Sequence, residues 1–145
     1  MSGLSKKDFC FLNCAKEVAK LSNFYCKVGC VVVHNNNIIS SGVSSAKTHP
    51  LQLKYNVYRF GYSYNSKCIP SVHAEISALS KLVNHETNND FSNLKVYVYR
   101  IRNKTDKGMA RPCAACMALI KKLGIKTVVY STNEGYAKEL LDIAH

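Results

Sequence analysis

Four side chains in this sequence of 145 residues have the types and spacing of a metal site with a proton carrier beside it. Cys113 and Cys116 are three residues apart, which places both thiols on one face of a helix. With the imidazole of His73 they leave a tetrahedral zinc ion one ligand short, and this open position is typical of catalytic zinc. Glu75 follows His73 by two residues and points in a different direction. We therefore predict that Glu75 is a general acid and base rather than a fourth ligand.

Both groups of side chains are predicted to lie at helix starts. Ser71 is the predicted N-cap of a helix that continues to about residue 84, with His73 in its first turn. Pro112 suits the first turn of another helix, which is expected to continue to residue 123 and to end at Gly124. Since a helix N-terminus stabilises negative charge, thiolates are expected there.

Strand and helix patterns alternate along the rest of the sequence, and this alternation predicts an α/β fold in a single domain over residues 1–145. For residues 134–144 we expect an amphipathic helix; the alternative is a turn at 133–135 that leads into a short fifth strand. Residues 43–71 show no strong period. The other predicted elements are a helix over residues 5–22, a hairpin over 28–34 and 38–42, and strands over 94–101 and 125–130.

The seven cysteines indicate a reducing compartment. Their number is odd, two of them form a C-x-x-C motif, and no apolar stretch follows the charges at the amino terminus. We therefore expect a cytoplasmic protein without a membrane span. A second, structural zinc ion is not expected, and the other cysteines are predicted to be small buried side chains: Cys10, Cys14, Cys26, Cys30 and Cys68.

The charge balance predicts an anionic partner. Twenty Lys and Arg against nine Asp and Glu give a net charge of +11. Such a field attracts both phosphorylated metabolites and nucleic acid, and does not choose between them. Basic residues are concentrated at 100–111, and tyrosines at 55–64, where aromatic faces could stack on bases.

The motifs His73-Ala74-Glu75 and Pro112-Cys113-Ala114-Ala115-Cys116 resemble those of the cytidine/deoxycytidylate deaminase superfamily. The resemblance extends from the first helix through residue 130, and residues 42–50 and 72–79 are most similar to deoxycytidylate deaminases, including viral ones. It implies a three-layer α/β/α fold, in which helices flank a mixed sheet of four to five strands. It also implies one catalytic Zn²⁺ ion, a homo-oligomer, and the host cytoplasm if the protein is viral.

The resemblance further implies hydrolytic deamination of a cytosine nucleotide, of the deoxycytidylate type, to the uracil form with release of ammonia. One alternative is a deaminase that acts on a base within single-stranded DNA or tRNA. Another is a non-catalytic, zinc-stabilised protein that binds nucleic acid. A serine at position 44 stands where many relatives carry an asparagine that touches the sugar. The candidate substrate-binding residues are Ser44, Thr48, His49, Tyr55, Arg59, Ala74, Arg111 and Pro112.

Overall fold

The computed structural model describes residues 3–47, 49–58, 71–85, 91–102 and 105–141. Within these ranges, helices and strands alternate along the chain as the sequence predicts. The elements are α1 (Lys6–Ala19), β1 (Lys27–His34), β2 (Asn37–Val43), α2 (Pro50–Tyr55), a 3-10 turn (Asn56–Tyr58), α3 (Ala74–His85), β3 (Lys95–Arg102), β4 (Thr105–Gly108), α4 (Ala114–Lys122), β5 (Thr127–Ser131) and β6 (Tyr136–Leu140).

The strands form one mixed sheet. Its order is β2-β1-β3-β5-β6, and β4 pairs with the end of β3. β1 is antiparallel to β2 and β3, β3 is parallel to β5, and β5 is antiparallel to β6. The mixed sheet is confirmed, with six strands where four to five were expected. The additional pairing comes from β4, which turns part of the basic loop into a hairpin with β3.

Helices cover both faces of the sheet, which confirms the three-layer α/β/α arrangement. Alternation along β3 shows the two faces: Val96 and Val98 contact the core cluster that includes α3 and α4 residues, whereas Tyr97 and Tyr99 contact α1. Such alternation is the two-residue period of a strand buried on both sides. The two sequence motifs lie with α3 and α4, so the predicted site is on one face of the sheet.

α3 begins two residues later than the sequence predicts, so the assignment of Ser71 as its N-cap is wrong. Val72 forms an isolated antiparallel bridge with Ser45, in which each backbone N–H donates to the other carbonyl, at 2.9 and 3.0 Å. This bridge keeps the backbone extended until His73, and the helix starts at Ala74.

The helix expected over residues 134–144 is also wrong: the described part of this segment contains the strand β6. Its backbone pairs with β5 along five residues. Two of its side chains are held by distant parts of the chain, Lys138 by Asp8 and Glu139 by Arg111. These long-range contacts outweigh a weak local preference for helix.

The other cysteines lie in different environments. Cys30 is buried as predicted, and Cys14 and Cys26 are partly buried. Cys10 is exposed on α1, which contradicts the expectation of a buried side chain. Cys68 lies outside the described residues. In the part of the chain that the structure describes, no helix has both the length and the apolar character that a membrane crossing needs.

Candidate active site

Three potential metal ligands converge between the starts of α3 and α4. His73 directly precedes α3, Cys113 is at the N-cap position of α4, and Cys116 is in the first turn of α4. The His73 Nδ1 atom lies 3.3 Å from the Cys116 Sγ atom and 3.4 Å from the Cys113 Sγ atom. All three donor atoms lie within 4.8 Å of one another.

This donor set fits zinc. In a tetrahedral site with Zn–S distances of ~2.3 Å and Zn–N distances of ~2.0 Å, sulfur and nitrogen ligands lie about 3.5 Å apart. The observed separations of 3.3 and 3.4 Å are close to that value. Among the described residues this cluster has three members and Glu75 is not one of them, so a fourth position remains for a non-protein ligand.

The two thiols differ in acidity because they share a hydrogen bond. The pKa of Cys113 is lowered to about 3, chiefly because the Cys116 thiol donates to it, with a further contribution from His73. The same bond and burial raise the pKa of Cys116. Cys113 is therefore the more acidic of the two thiols, and the charge of a bound cation would favour the thiolate form of Cys116 as well.

Glu75 lies in the first turn of α3 and is 5% exposed. Burial raises its pKa to about 7, even though the nearby His73 acts in the opposite direction. A carboxyl group with a pKa near neutrality can both accept and donate a proton at the pH of a cell. Its environment is therefore that of an acid/base group.

A buried glutamine outside both motifs holds the backbone of His73. The Oε1 atom of Gln52, on α2, accepts a hydrogen bond from the His73 N–H group at 2.9 Å. Its Nε2 atom donates to the Asn56 Oδ1 atom at 2.7 Å. Gln52 is 1% exposed. Gln52 was not predicted from the sequence, because α2 has six residues and is too short to show a period.

A cavity of about 400 Å³ opens next to the metal-ligand cluster. Its inner wall includes His73, Ala74, Glu75 and Cys113, so ligands and acid/base face one space. The connection between α1 and β1 forms a second wall. The cavity is completed from other elements by Ser44, Arg100, Met109, Ala110 and Arg111.

Two aromatic rings from the α1–β1 connection line this cavity, and neither belongs to the predicted site residues. The Phe24 and Tyr25 ring centroids lie 4.4 Å apart. The hydroxyl of Ser22 holds this segment, since it accepts from the Phe24 N–H group and lies 3.0 Å from the Ser44 hydroxyl. Two adjacent aromatic residues between a helix and a strand were a signal available in the sequence.

The predicted substrate-binding residues fall into three groups: those that line the cavity, those that lie elsewhere in the structure, and those outside the described residues. Ser44, Ala74 and Arg111 line the cavity, as described above. Tyr55 lies elsewhere, beside a second cavity between α2 and α4, and Thr48 and Arg59 lie outside the described residues. His49 caps α2 through its Nδ1 atom, which accepts from the Leu51 N–H group at 3.0 Å. Pro112 is buried and is not among the cavity-lining residues.

Ser44 and Arg111 also have structural partners. The Ser44 hydroxyl donates to the Cys26 carbonyl at 2.6 Å and accepts from the Val28 N–H group at 3.0 Å, so it helps to fix the aromatic wall. The Arg111 guanidinium donates two hydrogen bonds to the Glu139 carboxylate, at 2.6 and 3.1 Å. The Tyr130 hydroxyl donates to the same carboxylate at 2.6 Å. Arg111 therefore faces the cavity with its charge already paired.

Comparisons with solved structures identify proteins of the same fold. The dCMP deaminase of cyanophage S-TIM5, in its apo form, has a TM-score of 0.58 and 21% identity over 89% of this chain and 86% of its own. The cytidine deaminase of Burkholderia pseudomallei has a TM-score of 0.59 and 15% identity over 94% of this chain and 93% of its own. A Thermotoga maritima diaminohydroxyphosphoribosylaminopyrimidine deaminase/5-amino-6-(5-phosphoribosylamino)uracil reductase is 28% identical over 87% of this chain and 29% of its own, with a TM-score of 0.51.

At the level of sequence, no curated protein matches. A family model does: that of the cytidine and deoxycytidylate deaminase zinc-binding region matches residues 5–132, which include both motifs and the whole donor cluster. On this match the chain belongs to the cytidine and deoxycytidylate deaminase family.

Proposed function

We propose that this protein is a zinc-dependent enzyme that deaminates a cytosine nucleotide of the deoxycytidylate type. The observation that carries the proposal is that a cluster of three zinc-type ligands adjoins a cavity of about 400 Å³, whose wall includes two of these ligands, His73 and Cys113, together with Glu75. The size of this cavity is within the range of small-molecule sites. The family match supports deamination, and the cyanophage protein of the same fold has been solved in complex with dCMP and dUMP.

In this proposal His73, Cys113 and Cys116 hold the ion. Zinc bound there would supply a Lewis acid that makes water nucleophilic near neutral pH. The Glu75 carboxylate accepts a proton from the attacking water and passes it to the ring nitrogen next to the reacting carbon. It then carries the second proton to the departing amine, so that water and cytosine become uracil and ammonia.

The decisive substitution is Glu75→Gln. The amide has nearly the same shape but cannot carry a proton, so we expect turnover to fall by about 10³-fold or more while zinc is retained. Ammonia release and zinc content would be measured on the same preparations. A catalytically silent wild-type protein loaded with zinc, or a Glu75→Gln variant with full activity, would rule out the proposed role.

A second candidate is deamination of a base within single-stranded DNA or tRNA. Tyr25 favours it, because this side chain is 81% exposed and lines the cavity, where it could stack on a flanking base. A substrate panel separates the two functions: deoxycytidylate, cytidine, adenosine, single-stranded DNA and tRNA, each followed for base deamination. Turnover of polynucleotides with a steep salt dependence, and none of mononucleotides, would favour this candidate.

A further inference from the structure

We propose that Arg100 is the specificity-determining residue that binds the phosphate group of the substrate. This inference rests on the proposed function, because it concerns the same cavity. Among the residues that the structure describes, two arginines line the cavity, Arg100 and Arg111, and their surroundings differ. That difference assigns the phosphate to one of them.

The position of Arg100 on β3 directs its side chain to the catalytic face. Val96 and Val98 belong to the core on the α3 and α4 side, and the two-residue period of a strand places Arg100 on that side too. Its backbone N–H group donates to the Ser131 hydroxyl at 3.1 Å, which fixes the end of the strand. The guanidinium is thus presented from a rigid element rather than from a mobile loop.

Gly108 on β4 provides the space for this side chain. β4 pairs with β3 so that Gly108 is directly opposite Arg100. A Cβ atom at position 108 would lie 3.2 Å from the Arg100 Cδ atom and 3.3 Å from its Cγ atom. The aliphatic part of Arg100 therefore lies over the glycine, and a larger residue there would displace it.

Arg111 is the weaker candidate because Glu139 already binds it in a bidentate geometry. A substrate phosphate at Arg111 would have to compete with this carboxylate. No such carboxylate pairs with Arg100 among the described residues. An arginine without a competing anion offers its full set of donors, and its planar fork matches phosphate oxygens.

The phosphate could belong to a free nucleotide or to a polynucleotide strand. Both present the same phosphate oxygens, so the experiment tests both sources. A nucleoside, which lacks phosphate, gains nothing from Arg100. The inference therefore predicts a difference between phosphorylated and unphosphorylated ligands that share one base.

The test compares the binding of ligands that carry a phosphate group with the binding of a ligand that lacks one. Equilibrium binding of deoxycytidylate, deoxycytidine and a short single-stranded deoxyoligonucleotide would be measured by calorimetry on zinc-loaded protein, in a Glu75→Gln background that prevents turnover. We expect Arg100→Gln to weaken deoxycytidylate binding, or oligonucleotide binding if that is the ligand, about 10- to 100-fold. Deoxycytidine binding should change by less than about twofold, because a nucleoside carries no phosphate for Arg100.

Two matched variants complete the experiment. Arg111→Gln should weaken phosphate binding much less than Arg100→Gln. Lys126→Gln is the control for net charge, because it also removes one positive charge. Lys126 is exposed and directly precedes β5, whereas Ser131, the partner of the Arg100 N–H group, is at the other end of that strand. Equal losses for deoxycytidine and deoxycytidylate, a larger loss in Arg111→Gln, or no binding of any phosphorylated ligand would each overturn the inference. Tight, Arg100-dependent binding without turnover in the Glu75 enzyme would instead reject only the proposed function.

Discussion

The backbone of the histidine ligand is held by a side chain that belongs to neither motif. Gln52 bonds to the N–H group of His73 and to the amide of Asn56, so the start of α3 is fixed from α2. Partners of this kind orient metal ligands without touching the metal, and their loss lowers metal affinity. The geometry of the cluster therefore depends on a residue 21 positions before the histidine.

We expect Gln52→Ala to lower zinc affinity about 10- to 100-fold, because it removes the hydrogen bond that holds the partly buried His73 N–H group. Competition with a chromogenic chelator would measure this loss. The matched control is Asn56→Ala, which removes the other partner of Gln52 but leaves the bond to His73. Both variants should unfold at lower temperature. If both lost zinc affinity equally, Gln52 would be a packing residue of α2 only.

The residues that could bind a metal or carry a proton were predictable from the sequence. The hydrogen bonds between side chains that are distant in sequence were not. His73, Cys113, Cys116 and Glu75 were identified from type and spacing, and the structure brings the three ligands together. Nothing local marks Arg111 as the partner of a residue 28 positions later. The same holds for the Ser44 hydroxyl, which is engaged by the α1–β1 connection.

Among the elements, α1, α3 and α4 were predictable from the sequence, whereas the last strand and the exact start of α3 depend on contacts that are distant in sequence. β6 exists because β5 offers its edge, and α3 starts late because Ser45 pairs with Val72.

The contact between α3 and the sheet is close because Gly42 on β2 has no side chain. A Cβ atom there would lie 2.5 Å from the Ala78 nitrogen and 2.6 Å from the Ala74 oxygen.

We expect Gly42→Ala to push α3 away from the sheet and to lower both stability, by about 1–3 kcal/mol, and zinc affinity. Gly29→Ala is the matched substitution, since a Cβ atom there would collide with the backbone of Ala15 and Ala19 on α1, across the sheet. It should cost similar stability but leave zinc affinity of the folded protein unchanged. Urea unfolding and zinc titration would compare them. Unchanged zinc affinity in Gly42→Ala would show that α3 accommodates the methyl group without moving the site.

At the scale of the whole molecule, residues far apart in sequence meet on the face of the sheet away from the site. The carboxylate of Asp8, 1% exposed, accepts hydrogen bonds from the Tyr97 hydroxyl at 2.6 Å and from the Ser5 N–H group at 2.9 Å. Lys138 on β6 donates to it at 3.3 Å. One buried anion thus connects α1, the central strand β3 and the edge strand β6.

This buried carboxylate predicts how stability depends on pH. Burial alone would raise the pKa of Asp8, but the bonds from Tyr97, Ser5 and Lys138 outweigh it and hold the pKa below the ordinary value of 3.8. A group with a lowered pKa in the folded state stabilises the protein above its unfolded pKa, and this stabilisation is lost as the pH falls through the folded pKa. The contribution of Asp8 is therefore complete at neutral pH and declines below about pH 4.

We expect Asp8→Asn to lower the free energy of unfolding at pH 7 by about 1–3 kcal/mol, because a neutral amide is a weaker partner for Lys138 and Tyr97. The difference from wild type should shrink as the pH is lowered below about 4, where the wild-type carboxylate also becomes neutral. Urea unfolding between pH 7 and pH 3 would measure both effects. Glu17→Gln is the control, since Glu17 and Lys20 form an exposed pair whose removal should change stability by less than about 0.5 kcal/mol. A pH-independent difference between Asp8→Asn and wild type would mean that the charge of Asp8 contributes nothing, and that its role is to fill space between α1 and the sheet.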